Sequence, residues 1–177
     1  KENLKPEKSY SLDFGLDRSF LENNMDLSAT LFYMEYDDTI SNWASHVASG
    51  STFTIDNSAG KVTSKGFEFT GNLKTDFVNN IKFGYTFTDA YDGEDCDDPD
   101  SSCIDEMPVR VPRHSIQTKF SKEFGKLSTH LTGKYQSNVR DYGNTNNGFK
   151  QVILDDYSQF NFSATLDYFG YEIFFDV

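Results

Sequence analysis

Apolar and polar residues alternate one for one along most of this sequence, and this period of two limits its possible folds more than any other feature. In the first such segment Tyr10, Leu12 and Phe14 are separated by single polar residues. Successive side chains of a β-strand point to opposite faces, so this pattern predicts strands with one apolar and one polar face. Similar segments cover residues 10–16, 27–33, 67–73, 81–87, 116–120, 127–135, 160–166 and 171–177. With no convincing helical periodicity, the sequence predicts an all-β chain of about eight strands.

The connections between these segments are of two lengths, and the two lengths alternate. Short, turn-like links fall near residues 21–24, 75–80, 123–126 and 168–170. Long polar links cover roughly residues 37–55, 91–111 and 137–154. This order predicts an up-and-down antiparallel meander, with the short turns at one end of the sheet and the long loops at the other.

The two faces of the predicted strands differ in a way that indicates a membrane protein. Hydrophobic residues make up 37% of the chain and aromatic residues 16%, whereas about 45–50% apolar residues are usual in a globular domain. The apolar face is rich in Phe and Tyr, and the other face carries Ser, Thr, Asn, Lys and Gly. Alternating segments with aromatic ends are typical of a transmembrane β-barrel, with lipid outside and water inside. A soluble β-sandwich or lipocalin-like barrel remains the alternative.

Several other classes of protein are disfavoured. No apolar run approaches the roughly 20 residues of a transmembrane helix, and the first residues, Lys1 to Pro6, lack the apolar region of a signal peptide. The formal net charge of −12 argues against nucleic acid as a partner. No nucleophile elbow, phosphate-binding glycine loop or zinc-protease motif is present. We therefore expect no enzyme activity and no resident cofactor.

Five segments, taken in order, resemble motifs of TonB-dependent outer-membrane receptors. Asn3-Leu-Lys-Pro-Glu-Lys-Ser9 is similar to the family's "N-x-x-L-K-P-E-x-S" box, and Val111-Pro-Arg-His114 resembles its "x-P-x-H" motif. Leu31 to Ile40 is similar to a family strand with a Phe-Tyr pair, although the spacing is loose. Asn57 to Glu68 resembles "N-x-G-x-x-x-x-x-G-x-E" with one additional residue, and Phe83 to Ala90 resembles "x-Y-T-Y-x-D-A". The resemblance covers essentially the whole chain.

The resemblance implies a particular fold, function and set of partners. It makes residues 1–177 an antiparallel up-and-down transmembrane segment of about eight strands from a 22-stranded barrel, without the family's N-terminal plug domain and final strand. The family imports scarce metal chelates across the bacterial outer membrane, powered by the TonB complex. We expect ferric siderophore as cargo ahead of haem, cobalamin or saccharide, and outer-membrane lipid as surroundings. The alternative from another class is a self-contained eight-stranded barrel with a structural or adhesive role.

Ligand contacts in this family come from aromatic and polar loop residues above the lumen. The candidates here are Trp43, His46, Tyr135, Arg140 and Tyr142, all in or beside the long links. The alternative reading of Trp43 and the tyrosines is that they anchor the chain at the membrane–water boundary. The charges predicted to face the lumen are Glu68, Lys82, Lys119, Lys134 and Asp176. They could guide an anionic ligand or pair with a plug domain, or simply belong to a hydrated barrel wall.

The second long link concentrates acidic residues around two cysteines. Cys96 and Cys103 are close in sequence, and an oxidising environment outside the membrane would favour a disulfide between them. The carboxylates Asp92, Glu94, Asp95, Asp97, Asp98 and Asp100 offer hard oxygen ligands of the kind that Ca²⁺ prefers. No glycine stands where an EF-hand loop needs one, so a solvated acidic loop closed by one disulfide is the better interpretation.

Overall fold

The computed structural model describes residues 4–22, 24–47, 50–57, 61–92, 108–145 and 148–177, and all regular structure in these ranges is β. The strands are β1 (Lys8–Phe20), β2 (Met25–Asp37), β3 (Ile40–Val47), β4 (Gly50–Asn57), β5 (Val62–Leu73), β6 (Asn80–Asp92), β7 (His114–Phe124), β8 (Leu127–Gln136), β9 (Val139–Thr145), β10 (Gly148–Leu154), β11 (Tyr157–Tyr168) and β12 (Tyr171–Asp176). Within these residues, no helix is long and apolar enough to cross a membrane.

Eight of the strands form one sheet in the order β1-β2-β5-β6-β7-β8-β11-β12. Every strand therefore lies beside the next one of the sheet along the chain, and the pairs with a defined register are antiparallel. This confirms the all-β class and the eight-stranded up-and-down order predicted from the alternation. In the described residues β1 and β12 are the two ends of the sheet, which is not closed.

The long links contain more regular structure than the sequence predicts. β3 pairs with β4, and β9 pairs with β10, each as a separate two-stranded hairpin. Residues 40–47 and 50–57 are rich in Ser and Thr and do not show sustained alternation. Segments this short, without sustained alternation of apolar and polar residues, carry too weak a period to be identified as strands from sequence.

The short turns have the backbone geometry that tight hairpins require. Phe169 and Gly170 join β11 to β12 with φ of 51° and 82°, and Leu21 and Glu22, between β1 and β2, both have φ of 52°. In the two-residue loop of Phe169 and Gly170, two consecutive positive φ angles are those of a type I′ turn, whose twist matches that of the flanking strands. The link between β1 and β2 is longer, and in it the Asn24 N–H donates to the Leu21 carbonyl at 3.0 Å. Between β7 and β8, Gly125 has φ of 63°. These turns set the register of their hairpins.

The chain divides into two compact units, and neither has a conventional core. The first comprises Lys1–Asp13, Phe32–Lys65 and Asp89–Pro108, and the second Phe14–Leu31, Gly66–Thr88 and Val109–Val177. Among the described residues the only buried hydrophobic side chain is Ala90, and no polar side chain is buried. Large side chains such as Phe14 and Leu16 are instead more than 60% exposed.

The apolar face of the second unit is held together by ring contacts between neighbouring strands. The ring centroid of Phe67 lies 5.5 Å from that of Tyr85 and 5.7 Å from that of Phe87, and the Tyr85 hydroxyl is 2.9 Å from Nδ1 of His114. On β8, Gly133 lies beneath the ring of Phe160, where an added Cβ would come within 3.1 Å of that ring. Aromatic cover over a strand glycine is a known way of stabilising a sheet.

Candidate functional site on the polar face and at the loop hairpins

Three lysines of the second unit line one concavity of about 1050 Å³ on the polar face of the sheet. The antiparallel register places Lys82 of β6 directly opposite Lys119 of β7. Lys119 in turn lies opposite Thr132 of β8, and Lys134 follows two residues later on that strand. Directly opposite residues have Cβ atoms about 5 Å apart and diagonal neighbours are about 7–8 Å apart. The three lysines therefore lie on the same face of three consecutive strands.

Amide side chains surround the lysines. Lys134 lies between Gln117 of β7 and Gln159 of β11, each directly opposite it across its own strand pair. The Gln159 amide nitrogen donates to Oδ1 of Asn161 at 3.2 Å. All three amides line the same concavity as the lysines. The sequence indicates which face these residues occupy, but it does not reveal that they flank Lys134.

The other two charges predicted to face the lumen lie elsewhere. Glu68 is on β5 and Asp176 is on β12 opposite Ser163, and neither lines this concavity. The two carboxylates that line the concavity are those of Asp17 and Asp26. Asp26 accepts hydrogen bonds from Ser19 Oγ at 2.7 Å and from the Asn72 amide at 3.4 Å. The lumen-facing role of all five predicted charges stays a prediction.

At the base of the β3–β4 hairpin, in the first unit, Asn57 joins two segments that are 52 residues apart in sequence. Its Oδ1 accepts from the Lys5 backbone N–H at 2.7 Å, and its Nδ2 donates to the carbonyl oxygens of Lys5 at 2.8 Å and Asp38 at 2.7 Å. The Ile40 N–H donates to the Glu7 carboxylate at 2.7 Å. The "L-K-P-E" box and the Asn57 motif are therefore structural partners.

Asp38 carries the charge at this base. Both Lys5 Nζ and Lys8 Nζ lie 3.4 Å from its carboxylate oxygens. Partial desolvation would raise the pKa of Asp38, but the hydrogen bond from Lys8 and the nearby Lys5 charge outweigh it, so the pKa lies below its ordinary value. Asp38 also has a φ of 54°, a left-handed conformation that Asp tolerates better than most residues.

The base of the β9–β10 hairpin, in the second unit, is held by an ion pair. Arg110 donates from Nε to Oδ1 of Asp141 at 3.0 Å, and its backbone N–H donates to the Arg140 carbonyl at 2.8 Å. Asp141 Oδ1 also accepts from the Tyr142 N–H at 2.8 Å. The pKa of Asp141 lies below its ordinary value, mainly because of the hydrogen bond from the Tyr142 N–H and secondly because of the hydrogen bond from Arg110.

The structure places the predicted ligand-contact residues on different elements. Trp43 and His46 lie on β3, in register with Thr54 and Ser51 of β4. Arg140 and Tyr142 lie two residues apart on β9, so that one face of the second hairpin carries both. Tyr135 is on β8 opposite Ile116, on the face opposite to Lys134. The role of these five residues as ligand contacts stays a prediction.

The acidic segment lies largely outside the described residues. Asp92 ends β6, while Glu94, Asp95, Cys96, Asp97, Asp98, Asp100 and Cys103 lie outside the described ranges. The disulfide and the possible Ca²⁺ site therefore stay predictions. In the described part of the chain, no group of three or more His, Cys, Asp or Glu residues is arranged to hold a metal ion.

An eight-stranded antiparallel meander with one apolar face, one polar face and hairpins in its long connections has the strand pattern found in the wall of a transmembrane β-barrel. The model of the family described as "TonB dependent receptor-like, beta-barrel" matches residues 1–177. The chain belongs to this family, whose members are transporters and receptors rather than enzymes.

Solved structures with the same fold include an iron transporter and two receptors, all from bacteria. The FrpB iron transporter from Neisseria meningitidis has a TM-score of 0.70 at 14% identity, over 96% of this chain and 26% of its own. The pyoverdine outer membrane receptor FpvA from Pseudomonas aeruginosa PAO1, bound to pyoverdine, has a TM-score of 0.67 at 16% identity, and the match covers 92% of this chain and 24% of FpvA. The siderophore receptor PirA from Acinetobacter baumannii has a TM-score of 0.66 at 17% identity, and the match covers 93% of this chain and 26% of PirA.

These similarities show the fold alone, because the identities are low. The chain spans about a quarter of the length of these receptors. No curated protein sequence matches the chain.

Proposed function

We propose that this chain is part of the wall of an outer-membrane receptor that actively imports a metal chelate, with ferric siderophore as the cargo. The proposal extends the family membership to the whole protein's activity. The similar structures include an iron transporter and two siderophore receptors, one of them bound to its ligand. Residues 1–177 would supply barrel wall and loops, with the plug domain and the final strand supplied by other parts of the protein.

The observation that carries this proposal is the exposure of a large apolar surface, while Ala90 is the one hydrophobic side chain buried among the described residues. Tyr10, Leu12, Phe14 and Leu16 all have 59% or more of their surface exposed, and Phe160 on β11 and Phe175 on β12 are 71% and 57% exposed. Monomeric soluble proteins rarely expose apolar patches larger than a few hundred Å². Lipid contact removes this penalty, because a hydrocarbon surrounding solvates the apolar face while water solvates the polar one.

The exposed apolar surface also supports a location in the bacterial outer membrane as a multi-pass β-barrel. Import through the complete barrel would draw energy from the TonB complex. This complex would act through an N-terminal region rather than through residues 1–177. Arg140 and Tyr142 on one hairpin, and Trp43 and His46 on the other, would contact the chelate from the loops. The Cys96–Cys103 disulfide would close the acidic loop that lies between the two hairpins in sequence. No catalytic step is part of the proposal.

The test is iron uptake by a strain from which the full gene has been deleted. Under iron limitation, uptake of ⁵⁵Fe from the organism's own ferric siderophore should fall to background and return when the full gene is supplied. A protonophore should abolish the restored uptake, because active transport depends on the energised inner membrane.

Two results would contradict the proposal. Unchanged uptake in the deletion strain would remove the iron function, provided that a strain lacking all such receptors shows that the assay detects loss. A closed, stable barrel formed by residues 1–177 alone would instead favour the self-contained structural or adhesive barrel.

A further inference from the structure

The apolar face of the sheet carries two cations near the short turns, and each of them lies over an aromatic ring. On β1 the guanidinium carbon of Arg18 is 5.0 Å from the ring centroid of Phe20, and on β7 the ammonium nitrogen of Lys122 is 5.7 Å from that of Phe124. Residues two apart on a strand share a face, so both pairs continue the apolar faces of their strands. In each pair the ring belongs to the residue nearer the turn, so the charged group extends toward the short-turn end of the sheet.

This direction is the one that lipid contact requires of a long basic side chain. Lys and Arg lay their methylene stems along apolar surface and extend the charged head to the edge of the hydrocarbon layer. Aromatic rings collect at the same boundary in transmembrane barrels. If lipid covers the apolar face, the two charged heads place the edge of the hydrocarbon at the level of Phe20 and Phe124.

The sign of the charge at this end of the apolar face is uniform. Among the described strand residues near the short turns, only Arg18 and Lys122 are charged and have the parity of the apolar face. The neighbouring carboxylates lie on the polar face or in the turns themselves: Asp17, Asp26, Glu123, Asp167 and Glu172 on the polar face, and Glu22 and Asp76 in turns. Toward the long links the apolar-face positions include Glu35 and Asp89. In a chain with 28 acidic and 16 basic residues, a face end with cations alone is complementary to an anionic surface.

The surroundings of Lys122 are complete within this chain, because β7 is flanked by β6 and β8. Its ammonium group donates to the Asp76 carbonyl in the β5–β6 turn at 2.9 Å, and three N–H donors leave capacity for a further acceptor. The turn is held by Thr75, whose hydroxyl donates to the Val78 carbonyl at 2.7 Å and accepts from the Val78 N–H at 2.9 Å. Phe77 lies at the tip of this turn and is 86% exposed, next to the carbonyl that Lys122 binds.

Two other short turns also present large apolar side chains. Leu21 is 64% exposed and Phe169 is 80% exposed, and their φ angles are 52° and 51°. Bulky residues avoid this left-handed conformation, which hairpin turns usually give to Gly, Asn or Asp. Turn geometry therefore does not account for these side chains, whereas an apolar surrounding at the level of the turns does. All three turn tips and both cations belong to the second unit.

We propose that the rim of the sheet at the short turns binds the headgroups of anionic phospholipids. This short-turn rim consists of two cations with their rings and three turn tips: Arg18, Phe20, Lys122, Phe124, Leu21, Phe77 and Phe169. Each cation contacts the phosphate of one lipid, and the apolar side chains lie at the boundary with its acyl chains. β1 and β7 are four strand spacings apart, about 19 Å along the sheet, so the two cations contact separate lipids. The inference rests on the membrane location in the proposed function and adds a preference for lipid charge.

The test uses a photo-reactive probe at the rim. p-Benzoylphenylalanine replaces Phe77 in the full-length receptor, which is placed in vesicles of equal amounts of phosphatidylglycerol and phosphatidylcholine. After irradiation, mass spectrometry counts the adducts of each lipid. Phosphatidylglycerol adducts should exceed phosphatidylcholine adducts about fivefold, since a basic residue at an anionic membrane surface contributes a preference of this order.

The Lys122→Gln variant should lower this ratio to about one while the total number of lipid adducts stays the same. Lys122→Arg keeps the charge and should keep the ratio. Lys119→Gln is the matched control, because Lys119 lies on the same strand with the parity of the polar face and its loss changes the net charge equally. It should leave the ratio unaltered. Added salt should lower the ratio in the wild type and not in Lys122→Gln.

A second probe, at Leu21, examines the other cation independently. Arg18→Gln should lower the phosphatidylglycerol preference there, while Lys122→Gln should not. Equal adducts of the two lipids in the wild type would overturn the inference, as would an equal loss of preference in Lys119→Gln and Lys122→Gln. Irradiation of intact cells that joins the Phe77 probe to a protein in place of lipid would overturn it too, because the rim would then be a protein interface.

The fate of the proposed function is read separately. If the wild type restores ⁵⁵Fe uptake in the deletion strain and shows no preference for phosphatidylglycerol, the lipid site fails and the transport function stands. If the preference is present and the deletion strain takes up iron normally, the lipid site stands and the iron function fails.

Discussion

The bases of the two loop hairpins, β3–β4 and β9–β10, are held by different kinds of interaction. At the base of β3–β4 the neutral Asn57 amide makes three hydrogen bonds to main-chain groups, with the charged Lys5, Lys8 and Asp38 beside it. At the base of β9–β10 the main side-chain link is the Arg110–Asp141 ion pair, with one main-chain hydrogen bond from Arg110. Hydrogen bonds between a side-chain amide and the main chain do not titrate and are little affected by salt. An exposed ion pair is sensitive to both pH and salt concentration.

The largest effect is expected from Asn57→Ala. This substitution leaves one main-chain N–H and two main-chain carbonyls at the base of β3–β4 without their partner, which costs about 1–3 kcal/mol locally. Hydrogen exchange of the β3–β4 amides in the full-length receptor should accelerate roughly 5- to 100-fold. The β9–β10 amides should exchange at unchanged rates.

Asn138→Ala is the matched control, because Asn138 is an exposed asparagine immediately before β9 and only its main-chain carbonyl has a described hydrogen bond. It should leave both hairpins unchanged. If β3–β4 exchange is equally fast in the wild type and Asn57→Ala, the amide does not hold that hairpin and the comparison fails.

A smaller effect is expected from Asp141→Asn. The asparagine keeps an oxygen that can accept from Arg110 and from the Tyr142 N–H, so only the ionic part of the interaction is lost. Since the ion pair is exposed, with Arg110 75% accessible, exchange of the β9–β10 amides should accelerate only about two- to fivefold. Asp155→Asn, an exposed carboxylate just after β10, should have no effect, and a similar acceleration in that variant would make the Arg110 pairing irrelevant.

The smallest effect is the response to acid. Asp38 and Asp141 both have pKa values lowered in the folded state, so each stabilises its hairpin above its ordinary pKa of about 3.9. That stabilisation is lost as the pH falls through the lowered folded-state value. Exchange corrected for intrinsic rates should therefore accelerate in both hairpins below about pH 4, and less in β3–β4, where the Asn57 bonds remain.

The Asp141→Asn variant checks the origin of this response. Its β9–β10 hairpin should show little further acceleration between neutral and acidic pH, because the titrating group has been removed. If wild type and variant respond to acid equally, another group is responsible.

The fold was largely predictable, and the reason is local. The sheet has a polar face and an apolar face, so each of its eight strands can be identified from the alternation of polar and apolar residues. The short turns mark where one strand ends and the next begins. The hairpins β3–β4 and β9–β10 were not predictable in this way, because neither face of them needs to be apolar. The family motifs at Lys5–Glu7 and Asn57 could be recognised one by one, but no local signal reveals that Asn57 binds Lys5 and Asp38.

The sequence by itself determined which face each residue occupies, since parity along a strand needs no knowledge of neighbouring strands. It therefore indicated that Lys82, Lys119 and Lys134 share the polar face. Only the tertiary structure decided that Lys82 lies opposite Lys119, because register depends on turn geometry and on pairing between strands. A shift of two residues would keep every residue on its face, but Lys82 would no longer lie opposite Lys119.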